Sequence, residues 1–380
     1  MASVVLVASF STVPRTLRMA KTLAEDGHSV TILEWDRECS RPSGESRGNV
    51  SFRRLGVKAP YGRWAVVLFP VWLGFVLINL VLRRYDVVQP QNLDNLIPVY
   101  LASKTRRFKI VYDLADFYAD AYLVGVPLLA YLSQATERLL VRNVDGLILM
   151  SEKQLVQIGR NNVPNRWTVI YNSPDDAVQP DAVRDDRTYS TLIVFYGGVL
   201  ARERLKLLTV MKVAADMHGV DLLIAGFGEF EQLVENVARR LPNVQFLGRL
   251  AHRDIMQLSS QAHVILIPFD ASYANVQVAL PNKFFEGLAL AKPVMVPVGT
   301  YMAELCSKFR FGLSVDYDDE EDVRRTLFRL QDSDLRDELS RNAASTYARL
   351  FDSTLMKRRY AEFYRDILLD ENSTVERDSS

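Results

Sequence analysis

Short apolar runs recur along this chain, and a segment with helically spaced apolar residues follows each of them. Val4–Ala8 is such a run. Leu17, Ala20, Leu23 and Ala24 then mark one face of a helix. Thr12 stands at its N-cap position, Pro14 in its first turn, and Gly27 ends it. Ser29–Leu33 is the next strand. A strand–helix–strand opening implies a parallel sheet with helices on both faces, and this constrains the fold more than any other feature.

The rhythm persists. Val87-Val88, Ile110–Tyr112, Gly146–Met150 and Val169-Ile170 read as strands, with helices over Leu96–Lys104 and Leu128–Val141. Turn formers and charges from about Asn172 to Thr188 interrupt it. A second series of strands runs through Leu192–Tyr196, Leu222–Ala225, Val244–Phe246, Val264–Ile267 and Pro293–Val296. Helices over Arg202–Ala215, Glu229–Arg239, Asp254–Ser260 and Asn282–Leu290 separate them. The chain of 380 residues is therefore read as α/β, with two Rossmann-like domains. The first covers 1–175, a linker 176–188, and the second 189–350. A helix at about 353–369 is expected to pack back on the first domain, and a polar tail over 370–380 to be disordered. Ligands of such sheets bind beyond the carboxyl ends of the strands.

Composition excludes several classes. There are 46 basic and 46 acidic side chains, so the chain lacks the net basic charge that wrapping nucleic acid requires. Cys39 and Cys306 are too few for a disulfide framework or a thiolate cluster, which points to the reducing cytoplasm. Four histidines restrict metal sites further. The N-terminus has no basic region before Val4, so that run is expected to be a strand and not a signal peptide.

Ala65–Leu82 is almost wholly apolar and long enough to suggest a membrane span. Pro70 and Gly74 interrupt it, and Tyr85–Val88 follows at once as a strand of the same sheet. It is read as a helix that is either buried or lying on a membrane surface. Lys104, Arg106, Arg107 and Lys109 form a nearby basic cluster, suited either to anionic headgroups or to a solvated turn.

Three segments carry chemistry. Gly197 and Gly198 follow the first strand of the second domain and precede Arg202, Arg204 and Lys206. Cations at a helix start oppose its dipole, so an anionic ligand would explain them. Gly226, Phe227 and Gly228 form a second glycine turn after a strand. In Pro281-Asn282-Lys283-Phe284-Phe285-Glu286, Lys283 and Glu286 share a helical face. A lysine suits a diphosphate and a carboxylate suits ribose hydroxyls; a surface ion pair is the plainer alternative. Asp316-Tyr317-Asp318 spells a nucleotide-sugar metal motif, but it lies in an acidic run before a helix, where acids complement the dipole. No metal and no cofactor are expected.

Taken in order, these segments resemble the retaining glycosyltransferases of family 4, also called group 1, from Pro14 to about Tyr364. The likeness rests on Pro14–Arg18 with Leu23–Thr31, on Tyr112–Tyr118, on Ile170–Pro174, on the two glycine segments, on Phe246–Arg249 and on Pro281–Glu286. It implies the GT-B fold, with two parallel sheets facing a central cleft. It also implies transfer of a sugar from a nucleoside diphosphate sugar to an acceptor hydroxyl without a metal.

Carried over by position, Glu286 would hold the donor ribose. Arg204, with Lys206 or Lys283, would neutralise the diphosphate, each charge-assisted bond contributing roughly 1.5–3 kcal/mol. Gly197, Gly198, Gly226, Phe227, Gly228 and Asn282 would complete the donor site. The family often has a histidine where this chain has Ala115, and a glutamate where it has Val278. Asp113, Asp116 and Asp120 are the carboxylates of that loop, and Asp116 is favoured as the group that meets the acceptor, with N-capping or turn chemistry as the alternative role. The apolar helix and the basic cluster suggest a lipid-linked saccharide acceptor at a cytoplasmic membrane face, with a water-soluble acceptor as the alternative. The two departures motivate a competing reading, a non-catalytic subunit of the same fold. A nucleotide-sugar 2-epimerase fits less well, because its acid–base groups have no place here.

Overall fold

A computed structural model describes residues 1–11, 14–59, 65–123, 125–174 and 191–369. The expected cap Thr12, the linker 176–188, residues 189–190 and the tail 370–380 lie outside them. The chain divides into two compact units, Met1–Tyr171 with Met356–Ser380, and Asn172–Leu355.

Among the described residues the first unit holds eight strands: β1 (Ser3–Ala8), β2 (Ser29–Trp35), β3 (Gly44–Arg47), β4 (Val50–Leu55), β5 (Val87–Pro90), β6 (Lys109–Leu114), β7 (Gly146–Leu149) and β8 (Trp167–Val169). They lie in the order β3-β4-β2-β1-β5-β6-β7-β8. Every pair is parallel except β3–β4. The apolar pattern does not disclose β3 or β4. β3 is polar throughout, and β4 carries Arg53 and Arg54. Arg54 is tolerated inside because its Nε donates to Glu34 Oε1 at 2.6 Å, both side chains being buried.

Helices Ala65–Leu82, Asn92–Ser103 and Pro127–Val141 cover one face of this sheet. Trp72, Val76, Leu80, Leu96, Val99 and Val141 pack there against Val5, Val7, Trp35, Tyr112 and Leu147. The 65–82 helix is thus partly core and partly surface, with Val71, Ile78 and Leu82 exposed. Helix Pro14–Glu25 and the last helix, Ser353–Leu369, also pack on the first unit. Tyr360 and Tyr364 both donate to Gln89 Oε1, at 2.6 and 2.5 Å, and Gly146 leaves room for Phe363 and Ile367.

The second unit holds β9 (Leu192–Val199), β10 (Val220–Phe227), β11 (Val244–Phe246), β12 (Val264–Leu266), β13 (Val294–Pro297) and β14 (Gly312–Val315). The order is β11-β10-β9-β12-β13-β14, all parallel. β14 is short and half polar, and the sequence pattern does not reveal it. Chain order reverses beside β1 in the first sheet and beside β9 in the second. The carboxyl ends of β1 and β5, and of β9 and β12, are therefore the places where such sheets bind ligands.

Candidate functional site

The two glycine segments are not loops after strands. Gly197 and Gly198 belong to β9 and pair with Ala225 and Gly226 of β10. Phe227 still lies in β10, and only Gly228 turns out of it. The glycines let the two strands run on side by side: a Cβ on Gly226 would stand 2.5 Å from the Gly198 carbonyl oxygen.

Beyond β9 the chain makes a 3-10 turn, Arg202–Arg204, and the α-helix starts only at Leu207. The expected helix from Arg202 is corrected accordingly, and the dipole supplies the reason, since cations disfavour a helical first turn. Arg204 leans back over the strand end. Its Nη1 donates to the Val199 carbonyl at 3.1 Å, and that carbonyl also accepts the Tyr196 hydroxyl at 2.6 Å. Arg204 Nε is buried without a hydrogen bond, with Glu203 Oε1 at 3.4 Å. The guanidinium lies 5.1 Å from the ring centre of Phe269, which follows β12.

Lys283 comes to the same point from helix Asn282–Ala289. Phe284 and Phe285, packed edge-on against Phe311 and Phe351, fix that helix. The Lys283 ammonium stands 3.9 Å over the Tyr196 ring and 5.5 Å from Phe269, and it is buried with no hydrogen-bond partner among the described residues. It is not a surface ion pair. Burial, and then the Arg204 charge, hold its pKa well below the usual lysine range, while Glu286 opposes them. Burial pushes the Tyr196 hydroxyl up to about 12, against the pull of Arg204. Glu286 is mostly buried one turn on, 3.9 Å from His252 Nε2. Asn282 is exposed at the helix start. Arg204 and Lys283 thus meet over an aromatic floor at the point where the strand order reverses, where sheets of this kind bind their ligands. Local spacing does not disclose Tyr196, inside β9, or Phe269, beyond the end of β12, as that floor.

Lys206 does not join this pair. Its ammonium is held by Asp318, with Asp270 Oδ2 at 3.7 Å. This correction also accounts for Asp318 of the Asp316-Tyr317-Asp318 segment, which serves as an ion-pair partner. Among the described residues, no group of three or more His, Cys, Asp or Glu is placed to hold a metal ion.

In the first unit, Asp113 is a strand residue of β6 and is buried. Arg15 grips it through Nε, at 3.1 and 3.0 Å, and through Nη2 at 2.7 Å. Arg15 Nη1 goes on to the Ile170 carbonyl at 2.7 Å. Asp113 is therefore a packing carboxylate and cannot receive an acceptor, which corrects the catalytic role expected for it. Asp120 accepts from Gln157 at 2.8 Å and Gln134 at 3.4 Å. Asp116 is half-buried on the loop itself. Asn92, at φ +62°, clamps that loop by accepting the Ala115 and Asp116 N–H groups at 3.1 and 3.0 Å. Asn92 escapes a sequence reading because its contacts lie 23 and 24 residues away.

Two family models match the chain, Glycosyl transferase 4-like domain over residues 12–173 and Glycosyl transferases group 1 over residues 190–333. No curated protein sequence matches it. Among solved structures, sucrose-phosphate synthase from Thermosynechococcus elongatus superposes with a TM-score of 0.78 at 17% identity, over 97% of this chain and 100% of that one. WaaG, a glycosyltransferase involved in lipopolysaccharide biosynthesis, gives 0.68 at 18%, over 94% and 98%. HepE from Anabaena, in complex with UDP, gives 0.70 at 14%, over 96% and 100%. Likeness at these identities speaks for the GT-B fold.

Proposed function

Because this chain belongs to the group 1 glycosyltransferases, we propose that it moves a sugar from a nucleoside diphosphate sugar to an acceptor hydroxyl with retention, and that the acceptor is a lipid-linked saccharide. The observation that carries the donor reading is the buried Lys283 ammonium, unpartnered beside Arg204. A diphosphate would supply the missing partner, and both cations would stabilise its charge as the glycosyl bond breaks. Glu286 would take the ribose hydroxyls. The UDP held by HepE supports this reading.

In the retaining route implied by the family, the departing phosphate takes the proton of the acceptor hydroxyl on the same face of the sugar. Ala115 in the place of a histidine leaves that route open. Asp116 would orient the acceptor.

The acceptor reading rests on the outer surface of the first unit. Val71, Ile78 and Leu82, then Leu101, then Leu128, Leu129, Tyr131 and Leu132 are exposed on three helices, the second of which touches the other two. Such a spread of apolar side chains calls for a cover. Arg83, Arg84, Lys104, Arg106 and Arg107 are exposed just past the C-terminal ends of the first two of these helices, suited to anionic headgroups at the cytoplasmic face of a membrane. Lys109 is not one of them, since its ammonium donates to the Ile367 carbonyl at 2.5 Å. Among the described residues no helix is long and apolar enough to cross a membrane. WaaG, involved in making lipopolysaccharide, lends support.

The test is calorimetric titration of the full chain with UDP, GDP, ADP and dTDP, with Lys283→Ala alongside. One nucleotide is expected to bind, at least about tenfold more weakly in the variant. No binding by any of them would overturn the donor reading. Proton NMR of the transfer product then gives its anomeric configuration, and inversion would overturn retention.

A further inference from the structure

We propose that Asn92 and Glu137 are positioning residues for transfer: they hold the loop after β6 by its backbone and so fix the Asp116 carboxyl group against the acceptor hydroxyl. The proposal rests on the acceptor role read for Asp116 and adds to it the residues that set its place.

The loop is short, Ala115–Phe117, between the end of β6 and the helix Tyr118–Tyr122. Its backbone groups need partners, and side chains of three other elements supply them. Asn92, just beyond β5, accepts the Asp116 N–H at 3.0 Å and shares the Ala115 N–H with the Asp113 carbonyl, each at 3.1 Å. Glu137 Oε2, on helix Pro127–Val141, accepts the Tyr118 N–H at 3.2 Å. Gln154, beyond β7, donates from Nε2 to the Leu114 and Ala115 carbonyls, both at 3.3 Å. Its Oε1 accepts the Met150 and Ser151 N–H groups at 2.7 and 3.3 Å, which ties the end of β7 to the loop. β5, β6 and β7 are neighbours in the sheet, so their carboxyl ends bring these side chains together.

Two of these contacts are made at a cost. Glu137 is fully buried, and burial pushes its carboxyl group up to about 8, against the pull of its bonds to Tyr112 and Tyr118. Its Oε1 accepts the Tyr112 hydroxyl at 2.5 Å. Asn92 sits at φ +62°, in the left-handed region, which asparagine tolerates better than most residues. A buried carboxyl group and a strained backbone thus converge on one three-residue loop. Ala115 is apolar and Phe117 is buried in the core, so Asp116 is the loop side chain able to meet a hydroxyl. Such a group works when it is held to within about 0.5 Å of its productive place.

The experiment measures transfer to membrane lipid extract by the full chain, with UDP-glucose, UDP-N-acetylglucosamine, GDP-mannose, ADP-glucose and dTDP-glucose as donors. Asn92→Gly suits the backbone angle and removes only the acceptor; it should lower kcat about tenfold at unchanged donor KM. Asn92→Asp keeps the acceptor and should restore the rate. Glu137→Leu combined with Tyr112→Phe removes two groups that satisfy each other, so the melting temperature should stay within a few degrees of wild type while kcat falls about tenfold. In an Asp116→Asn background, Asn92→Gly should slow transfer no further, whereas a merely structural role would slow it again. Wild-type kcat in either Asn92→Gly or the Glu137 and Tyr112 double variant overturns the proposal, as does a loss in Asn92→Asp equal to that in Asn92→Gly. Failure of the underlying reading shows separately, as no transfer by wild type or full transfer in Asp116→Asn.

Discussion

A Cβ placed on Gly198 would stand 2.7 Å from the Lys283 ammonium, so the space above Tyr196 that the lysine occupies exists because residue 198 has no side chain. Gly198 also sits at φ +153°, which disfavours any other residue. The obstacle at Gly198 is the end of a flexible lysine, whereas at Gly226 it is the Gly198 backbone oxygen at 2.5 Å. Gly198→Ala is expected to displace Lys283 and weaken nucleotide binding by about tenfold, with a stability loss of only ~1 kcal/mol. Gly226→Ala must push two strands apart and should cost about 1–3 kcal/mol of stability. Urea denaturation and nucleotide titration of both variants check the contrast; equal stability losses would contradict it.

Lys283 also predicts a pH dependence. Burial and Arg204 lower its pKa in the free protein, and a bound diphosphate would raise it again. Binding should therefore take up a proton, and affinity should fall as pH rises through the alkaline range where the nucleotide's own charge is constant. In the unfolded chain the lysine has its ordinary pKa, so the folded state binds fewer protons there and loses stability as pH falls below that ordinary value. Lys283→Met should abolish the uptake and stabilise the free protein by ~1 kcal/mol. Calorimetry in two buffers of different ionisation enthalpy reads the uptake directly, and equal apparent enthalpies in wild type would refute it.

Glu286 tests the ribose assignment on its own. Glu286→Ala should weaken nucleotide binding by ~1–3 kcal/mol and leave the melting temperature within a few degrees of wild type. The deoxy nucleotide dTDP lacks only one of the hydroxyls concerned, so the loss for dTDP should be smaller than for the best ribonucleotide. An identical loss for both would place Glu286 away from the sugar.

How far the sequence discloses this arrangement depends on the range of the interaction. Strands such as β1, β7 and β12 are buried on both faces, so they read as unbroken apolar runs. β4 is hidden because Arg54 finds its compensation in Glu34, twenty residues away in the chain. Lys283 and Glu286 declare themselves by helical spacing. Whether Lys283 points into the protein is decided by Tyr196 and Gly198, which no local pattern ties to it. Asp113 and Asp116 are alike in sequence and opposite in setting, because Arg15 reaches one of them from a helix 98 residues earlier. The apolar spread over Leu128–Leu132 is legible only once the helix is seen to leave those residues uncovered.

That difference between the two aspartates can be measured. Asp113→Asn leaves the Arg15 guanidinium buried without its counter-charge and should cost about 3–5 kcal/mol of stability. Asp116→Asn, on a half-buried loop, should change stability by less than ~1 kcal/mol and slow transfer by ~10²-fold or more at unchanged nucleotide affinity. A paired comparison of melting curves and turnover decides it. Full turnover in Asp116→Asn would make that residue a loop fixture and leave the departing phosphate to act alone.

The membrane reading makes the last prediction, because it demands two additive contributions from different residues. Apolar burial at the interface should come from Leu128, Leu129 and Leu132, and electrostatic attraction from Arg83, Arg84, Lys104, Arg106 and Arg107. Co-sedimentation of the full chain with vesicles should then show strong binding at 20–30% phosphatidylserine or phosphatidylglycerol and weak binding to phosphatidylcholine alone, about 1 kcal/mol being lost for each arginine changed to glutamine. Raising the salt should remove the charge contribution and leave the apolar one. Changing the three leucines to serine should remove the remainder while nucleotide affinity stays that of wild type. Binding that ignores lipid charge and survives the leucine changes would assign this surface to a protein partner instead.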